Sequence, residues 1–93
     1  MIYEWDPQKA ARNLRKHGFS FDEAITVFLD PLALTFDDPD HSVDERRFIT
    51  IGWSTEQRLL FVAHADRGED RIRIVSARRA TRGEYHAYQE RRS

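Results

Sequence analysis

Between residues 33 and 77 the chain breaks into four β-rich runs parted by short polar turns, and that spacing restricts what it can fold into. Parallel neighbours need a crossover of a dozen or more residues, whereas antiparallel neighbours need only a hairpin. The runs cover residues 33–36, 47–53, 58–65 and 71–77. The turns between them are Asp37-Asp38-Pro39-Asp40-His41-Ser42, then Ser54-Thr55-Glu56-Gln57, then residues 66–69 with Gly68. In the last run Arg71 and Arg73 alternate with Ile72 and Ile74, so basic and apolar side chains take opposite faces. The pattern predicts a four-stranded antiparallel meander.

Helical signals bracket the meander. Residues 2–5 read as a short edge strand. Asp6 is a good N-cap, Pro7 suits the first helical position, and Gly18 is a stop, which predicts a helix over residues 7–16. Ser20-Phe21-Asp22-Glu23 has the form of a capping box, with Phe19 and Ala24 as a hydrophobic staple. A short helix over 21–28 follows, with Ala24, Val27 and Phe28 on one face, and Asp30-Pro31 ends it. Thr81-Arg82-Gly83-Glu84 is a second capping box and opens a terminal helix bearing Tyr85 and Tyr88. The order is β-α-α-β-β-β-β-α, an α+β fold in one domain over residues 1–93.

Charge is where composition matters. The net charge is −1, which by itself argues against a nucleic-acid partner. Its distribution argues the other way. Residues 71–93 hold seven Arg and two Glu, while residues 30–47 hold six acids and two Arg. Such asymmetry marks either a nucleic-acid-facing side or a surface whose charges cancel in three dimensions. There is no cysteine, so disulfides and cysteine-ligated metals are excluded. The N-terminus does not read as a secretory signal and no apolar stretch reaches membrane length, which predicts a cytoplasmic protein with no membrane partner.

Three constellations can carry chemistry. Lys9, Asn13 and Lys16 share one face of the first helix, a basic stripe suited to phosphates, while His17 lies on the opposite flank. Equally, Lys16 and His17 can serve as favourable cations at a helix C-terminus. His64 ends an apolar strand beside a turn, with Arg67 close behind; it is either a proton-transfer group or a buried histidine satisfied by backbone. Arg78 and Arg79 stand where the last strand passes into a helix, and a helix N-terminus beside two guanidiniums can clamp a phosphate. The alternative is that the pair solvates a turn or bridges the acidic loop. His17, His41, His64 and His86 have no metal-ligand spacing, the Asp37–Asp40 stretch lacks the glycine and distant glutamate of a calcium loop, and no phosphate-binding glycine loop occurs, so no cofactor is expected.

Taken in order, Glu4-Trp5-Asp6, Lys9, Asn13, Lys16-His17-Gly18, Phe21, Glu23-Ala24, Val27-Phe28, Asp30-Pro31, Glu45-Arg46, Gly52, Leu60-Phe61-Val62 and the run from Arg73 to Thr81 with Glu84 and Tyr88 resemble the BrnT toxin family. The Lys-His-Gly element together with Ile-x-Ser-Ala-Arg-x-Ala makes the resemblance specific. One departure is Gly83, where the family usually has a basic residue. The resemblance implies a RelE-like fold and an RNA-cleaving toxin that stops translation. It also implies a BrnA-like ribbon-helix-helix antitoxin, whose complex with the toxin binds operator DNA. A metal-free ribonuclease must deprotonate the 2′-hydroxyl, stabilise a phosphorane and protonate the leaving 5′-oxygen. On that footing His64 is the acid or base, with His17 as a second candidate, and Arg67, Arg78 and Arg79 hold the phosphate. Lys9, Lys16, Arg71 and Arg73 contact RNA, and the antitoxin covers the basic surface from Arg71 to Arg92. The competing reading is a non-catalytic module that binds RNA or protein.

Overall fold

A computed structural model describes residues 1–92, the side chains of Arg91 and Arg92 excepted. The elements are β1 (Ile2–Glu4), α1 (Pro7–His17), α2 (Phe21–Ala24) running into a 3₁₀ turn (Ile25–Leu29), β2 (Leu34–Asp37), a 3₁₀ turn (Pro39–His41), β3 (Arg47–Trp53), β4 (Leu59–Asp66), β5 (Arg71–Arg79) and α3 (Arg82–Arg92).

The cap chemistry of α1 is as its sequence dictates. The Asp6 carboxylate accepts from Gln8 N–H at 2.8 Å, and Gly18 takes the left-handed conformation (φ 79°) that closes the C-terminus. The capping box at Ser20 forms only by half. Ser20 Oγ accepts from Glu23 N–H at 3.0 Å, but the Glu23 side chain turns away to Ser54 and Arg58. The expected helix over 21–28 accordingly tightens into a 3₁₀ turn after a single α-helical turn.

Strands β2 to β5 form the antiparallel meander, but the sheet has five strands, in the order β1-β5-β4-β3-β2, and is mixed. The four-stranded antiparallel sheet is therefore corrected: β1 joins as a fifth strand, parallel to β5, with Tyr3 opposite Ile72. The meander leaves the outer edge of β5 bare. Residues 5–70 are the long crossover that a parallel pair requires. Aromatic contacts hold β1 there, with Tyr3 stacked on Phe28 at 5.3 Å and Trp5 edge-on to Phe21 at 5.9 Å.

The sheet buries both faces unequally. On one, Phe19, Phe21, Ala24 and Val27 pack on Leu60, Val62, Ile74 and Ala77. On the other, α3 presses Tyr88 against Ile49, Ile51 and Leu59. Gly52 allows a close approach, since a Cβ there would lie 3.1 Å from Ala33 Cβ and 3.2 Å from the Val27 carbonyl.

One irregularity decides which way the arginines point. Ala63 pairs with Ser76 but His64 pairs with Ile74, so Val75 is an extra residue in β5. The bulge resets the alternation: Ile74 and Ala77, three residues apart, both face the helices. Arg78 consequently falls on the open face with Arg73, and Arg79 on the helical face.

Candidate functional site

His64 lies in the core, 5% exposed. Its ring is edge-on to Phe28 at 5.0 Å and stacked on Phe48 at 5.9 Å. Its Nε2 is 2.8 Å from Thr50 Oγ1, which in turn lies 2.8 Å from Thr35 Oγ1. Burial drives its pKa down to about 4, and the Asp66 charge offsets this only in part. The cavity it borders is rimmed by Asp66, Glu69 and Asp70, which repel a phosphate. Arg71, on the same rim, is paired with Glu4 at 3.4 Å.

Arg78 and Arg79 do not form a pair. Arg78 grips Glu84 with two bonds of 2.8 Å and lies over the Phe61 ring at 3.8 Å. Glu84 also accepts from Thr81 N–H at 2.8 Å while Thr81 Oγ1 accepts from Glu84 N–H at 3.2 Å, so this capping box is complete. Burial works against the Glu84 charge, but the bonds from Arg78 and Thr81 outweigh it and hold the carboxyl below its usual range. Glu84 thus supplies the anion that the helix start and Arg78 attract. Arg79, across the sheet, lies over the Phe19 ring at 5.6 Å and lines a groove of about 650 Å³ with Lys16, His17 and Arg58. Arg58 is committed to the buried Glu23, whose pKa that contact lowers.

Asn13 is corrected from stripe to scaffold. Its side chain is buried: Nδ2 donates to the Ala77 and Phe19 carbonyls at 2.9 and 3.0 Å, and Oδ1 accepts from Ala77 N–H at 3.0 Å. The amide serves Ala77 as a strand neighbour would, because β1 ends opposite Arg73. Lys9 and Lys16 stay exposed with Arg12, and none of the three forms an ion pair among the described residues.

The tightest gathering of cations is on the open face of the sheet. Glu45 is shared by three arginines from three segments: Arg67 at 3.0 Å, Arg47 at 3.8 Å, and Arg73, which donates from Nη2. Burial raises the Glu45 pKa, but the Arg67 bond and the charges of Arg73, Arg67 and Arg47 more than reverse it, leaving the carboxyl ionised. The Nε of Arg47 is buried with no partner. These groups line a basin of about 440 Å³ with His41 on its rim. Asp40 and Asp44 also line the basin, so its three guanidiniums face three carboxylates, but only Glu45 is in contact with them.

His41 is 66% exposed, and its Nδ1 sits 2.9 Å from Asp38 Oδ2 and 3.1 Å from Oδ1. A carboxylate only accepts, so Nδ1 is the donor here, and in the neutral imidazole the free lone pair is on Nε2. Beside the basin a second hollow of about 380 Å³ also touches His41 and Arg47, with Phe36, Ile49, Phe61, Ala63, Val75 and Ser76 around it. The arrangement can bind an anion, move a proton beside it and give a flat apolar group a place to lie.

Of the residues singled out in the sequence, Arg67 and Arg73 meet in the basin and Arg78 lies on the same face. Lys16, His17 and Arg79 meet in the opposite groove, Lys9 flanks it along α1, and His64 and Arg71 join neither. Arg47, Glu45, Asp38 and His41 were given no catalytic or RNA-binding role. The sequence signals for them are Glu45 among the family-matching residues and Asp38 and His41 three residues apart in a polar turn. No described group of three His, Asp or Glu side chains is placed to hold a metal ion, and no described helix is long and apolar enough to cross a membrane.

Known proteins share this architecture. Residues 5–84 match a family described as "Ribonuclease toxin, BrnT, of type II toxin-antitoxin system". A crystal structure of the Brucella abortus ribonuclease toxin BrnT shares the fold, with a TM-score of 0.70 at 24% identity, over 88% of this chain and 100% of that one. No curated protein sequence matches.

Proposed function

Since the chain belongs to the BrnT family of ribonuclease toxins from type II toxin–antitoxin systems, we propose that it cleaves RNA without a metal ion, in the basin around Glu45. The observation that carries this reading is the convergence of Arg47, Arg67 and Arg73 on one carboxylate. A phosphodiester entering the basin meets guanidinium forks suited to its oxygens. As the 2′-oxygen attacks phosphorus, the added charge of the phosphorane falls among the same arginines.

RNA supplies its own nucleophile, so the protein must move one proton twice. In this reading His41 Nε2 takes the 2′-hydroxyl proton, and the imidazolium formed is stabilised by Asp38. The same ring then gives that proton to the departing 5′-oxygen. The products are a 2′,3′-cyclic phosphate and a 5′-hydroxyl. Glu45 is a positioning residue: it holds three guanidiniums in place before substrate arrives. His17, Lys9, Lys16 and Arg79 take a supporting part on the helical side, and His64 takes a structural one.

The reading is tested with purified protein and single-stranded RNA in EDTA. Arg73→Ala and His41→Asn should each cut kcat by about 10²–10⁴, the span of transition-state charge stabilisation and of acid–base catalysis. RNA binding without cleavage by the wild type would mark a binding module instead. Full activity in both variants would refute the basin.

A type II toxin is neutralised by a protein antitoxin, and we place here a BrnA-like ribbon-helix-helix partner through which the complex binds operator DNA. An acidic segment of that partner suits Arg73 and Arg78, which share a face, and would have to cross the sheet edge to reach Arg79; the side chains of Arg91 and Arg92, in the same expected surface, lie outside the described residues. Electrostatic capture predicts an association rate that falls as salt rises. A rate indifferent to salt would place the antitoxin elsewhere.

A further inference from the structure

We propose that the RNA extends beyond the basin: the single strand flanking the cut crosses the bulged edge of β5 and runs along α1, where Lys9, Arg12 and Lys16 hold its phosphates. This rests on the basin as the cleavage site.

The path follows from what the edge of β5 lacks. β1 stops opposite Arg73, and the Asn13 amide takes up Ala77. Between them no strand lies along residues 74–76, where the chain bulges at Val75. Val75 and Ser76 line the apolar hollow beside the basin, and they also line a cleft of about 360 Å³ along α1 with Lys9, Arg12, Lys16 and His17. The two clefts are therefore neighbours across one bare edge.

Charge gives the path its direction and its occupant. α1 contains Lys9, Arg12, Arg15 and Lys16 and no acid. The basin arginines and Arg78 each meet a carboxylate in the free chain, whereas Lys9, Arg12 and Lys16 meet none among the described residues. At 1.5 Å per residue Lys9 and Lys16 lie roughly 10 Å apart along the helix, room for about two or three phosphates of one strand. The hollow before the crossing, floored by Ile49, Phe61, Ala63 and Val75, suits an unstacked base, which a duplex does not offer. Beyond Lys16 the cleft meets the groove of His17 and Arg79.

The test uses a non-cleavable 12-nucleotide 2′-O-methyl RNA and reads binding by fluorescence anisotropy across a salt series. Replacing Lys9, Arg12 and Lys16 together by Ala changes only exposed side chains, and circular dichroism checks the fold. The slope of log K against log salt should fall in magnitude by about 2, at about 0.7 for each phosphate no longer neutralised. Ser76→Asp, which sets a carboxylate on the crossing, should weaken 12-mer binding as well. With cleavable RNA, the preference of the wild type for a 12-mer over a trinucleotide should disappear in the triple variant. An unchanged slope overturns the path, and so does an unchanged slope with slower antitoxin capture, which would assign the stripe to protein. A reduced slope with no effect of Ser76→Asp makes the stripe a separate site and overturns the crossing. Failure of the basin itself is seen separately, as trinucleotide cleavage that survives Arg73→Ala.

Discussion

His64 makes stability depend on pH in a way that its burial fixes in advance. Its folded pKa, about 4, lies below the ordinary value of 6.5. As pH falls, the unfolded chain takes up the proton first, so the contribution is complete above about pH 6.5 and is lost as pH drops toward 4. Between pH 7 and pH 5 this one group should remove about 2 kcal/mol of folding stability, at 1.36 kcal/mol per pH unit of unfolded-state titration. With a urea slope of about 1–1.5 kcal/mol/M for so small a chain, the unfolding midpoint should fall by roughly 1.5–2 M. Glu23, Glu45 and Glu84, whose pKa values are held low, lose their contributions as pH falls from about 5 downward, through the ordinary carboxylate range and below it, so the imidazole dominates the window above pH 5. In His64→Gln the midpoint should be lower at pH 7 but nearly level from pH 7 to pH 5. A variant that keeps the wild-type pH slope refutes the burial argument. A variant that is stably folded yet has lost kcat by orders of magnitude would return His64 to catalysis.

Three further outcomes follow from single contacts. Asn13→Ala strips partners from the Ala77 N–H and two carbonyls and should cost about 2–4 kcal/mol in urea unfolding; a loss under 1 kcal/mol would mean that water replaces the amide. Gly52→Ala drives a Cβ against Ala33 and the Val27 carbonyl and should destabilise by about 1–3 kcal/mol, so a variant with an unchanged melting temperature would show that the 3₁₀ turn yields. Tyr88→Phe removes a 2.7 Å bond to Asp30 and should cost about 1 kcal/mol, with faster amide exchange confined to α3; uniform exchange would show that α3 is held by other contacts.

The local parts of this protein were legible in the chain. Asp6, Pro7 and Gly18 set the ends of α1 because capping acts within one turn. The four runs of the meander and their turns emerged within a few residues of their observed limits, since alternation and turn residues are local signals too. The family was also legible, because its motifs lie along the sequence in order.

What the tertiary structure decided was adjacency between segments far apart in the chain. The sequence has nothing local to show that β1 would pair with a strand 69 residues away, Ile2 with Arg71. It placed Arg78 and Arg79 together, and a single bulged residue at Val75 put Arg78 on the basin's face of the sheet and left Arg79 on the other. It offered His64 and Asn13 as polar candidates, but did not show that Phe28 and Phe48 would enclose the one or that the bare edge of β5 would take up the other. Arg47, Arg67 and Arg73 reach Glu45 only through the pairing of β3, β4 and β5, in which Arg47 and Arg73 both stand opposite Ala65. A polar residue is read identically whether it will face water, a carboxylate or the core, and only folding assigns the neighbour that sets its chemistry.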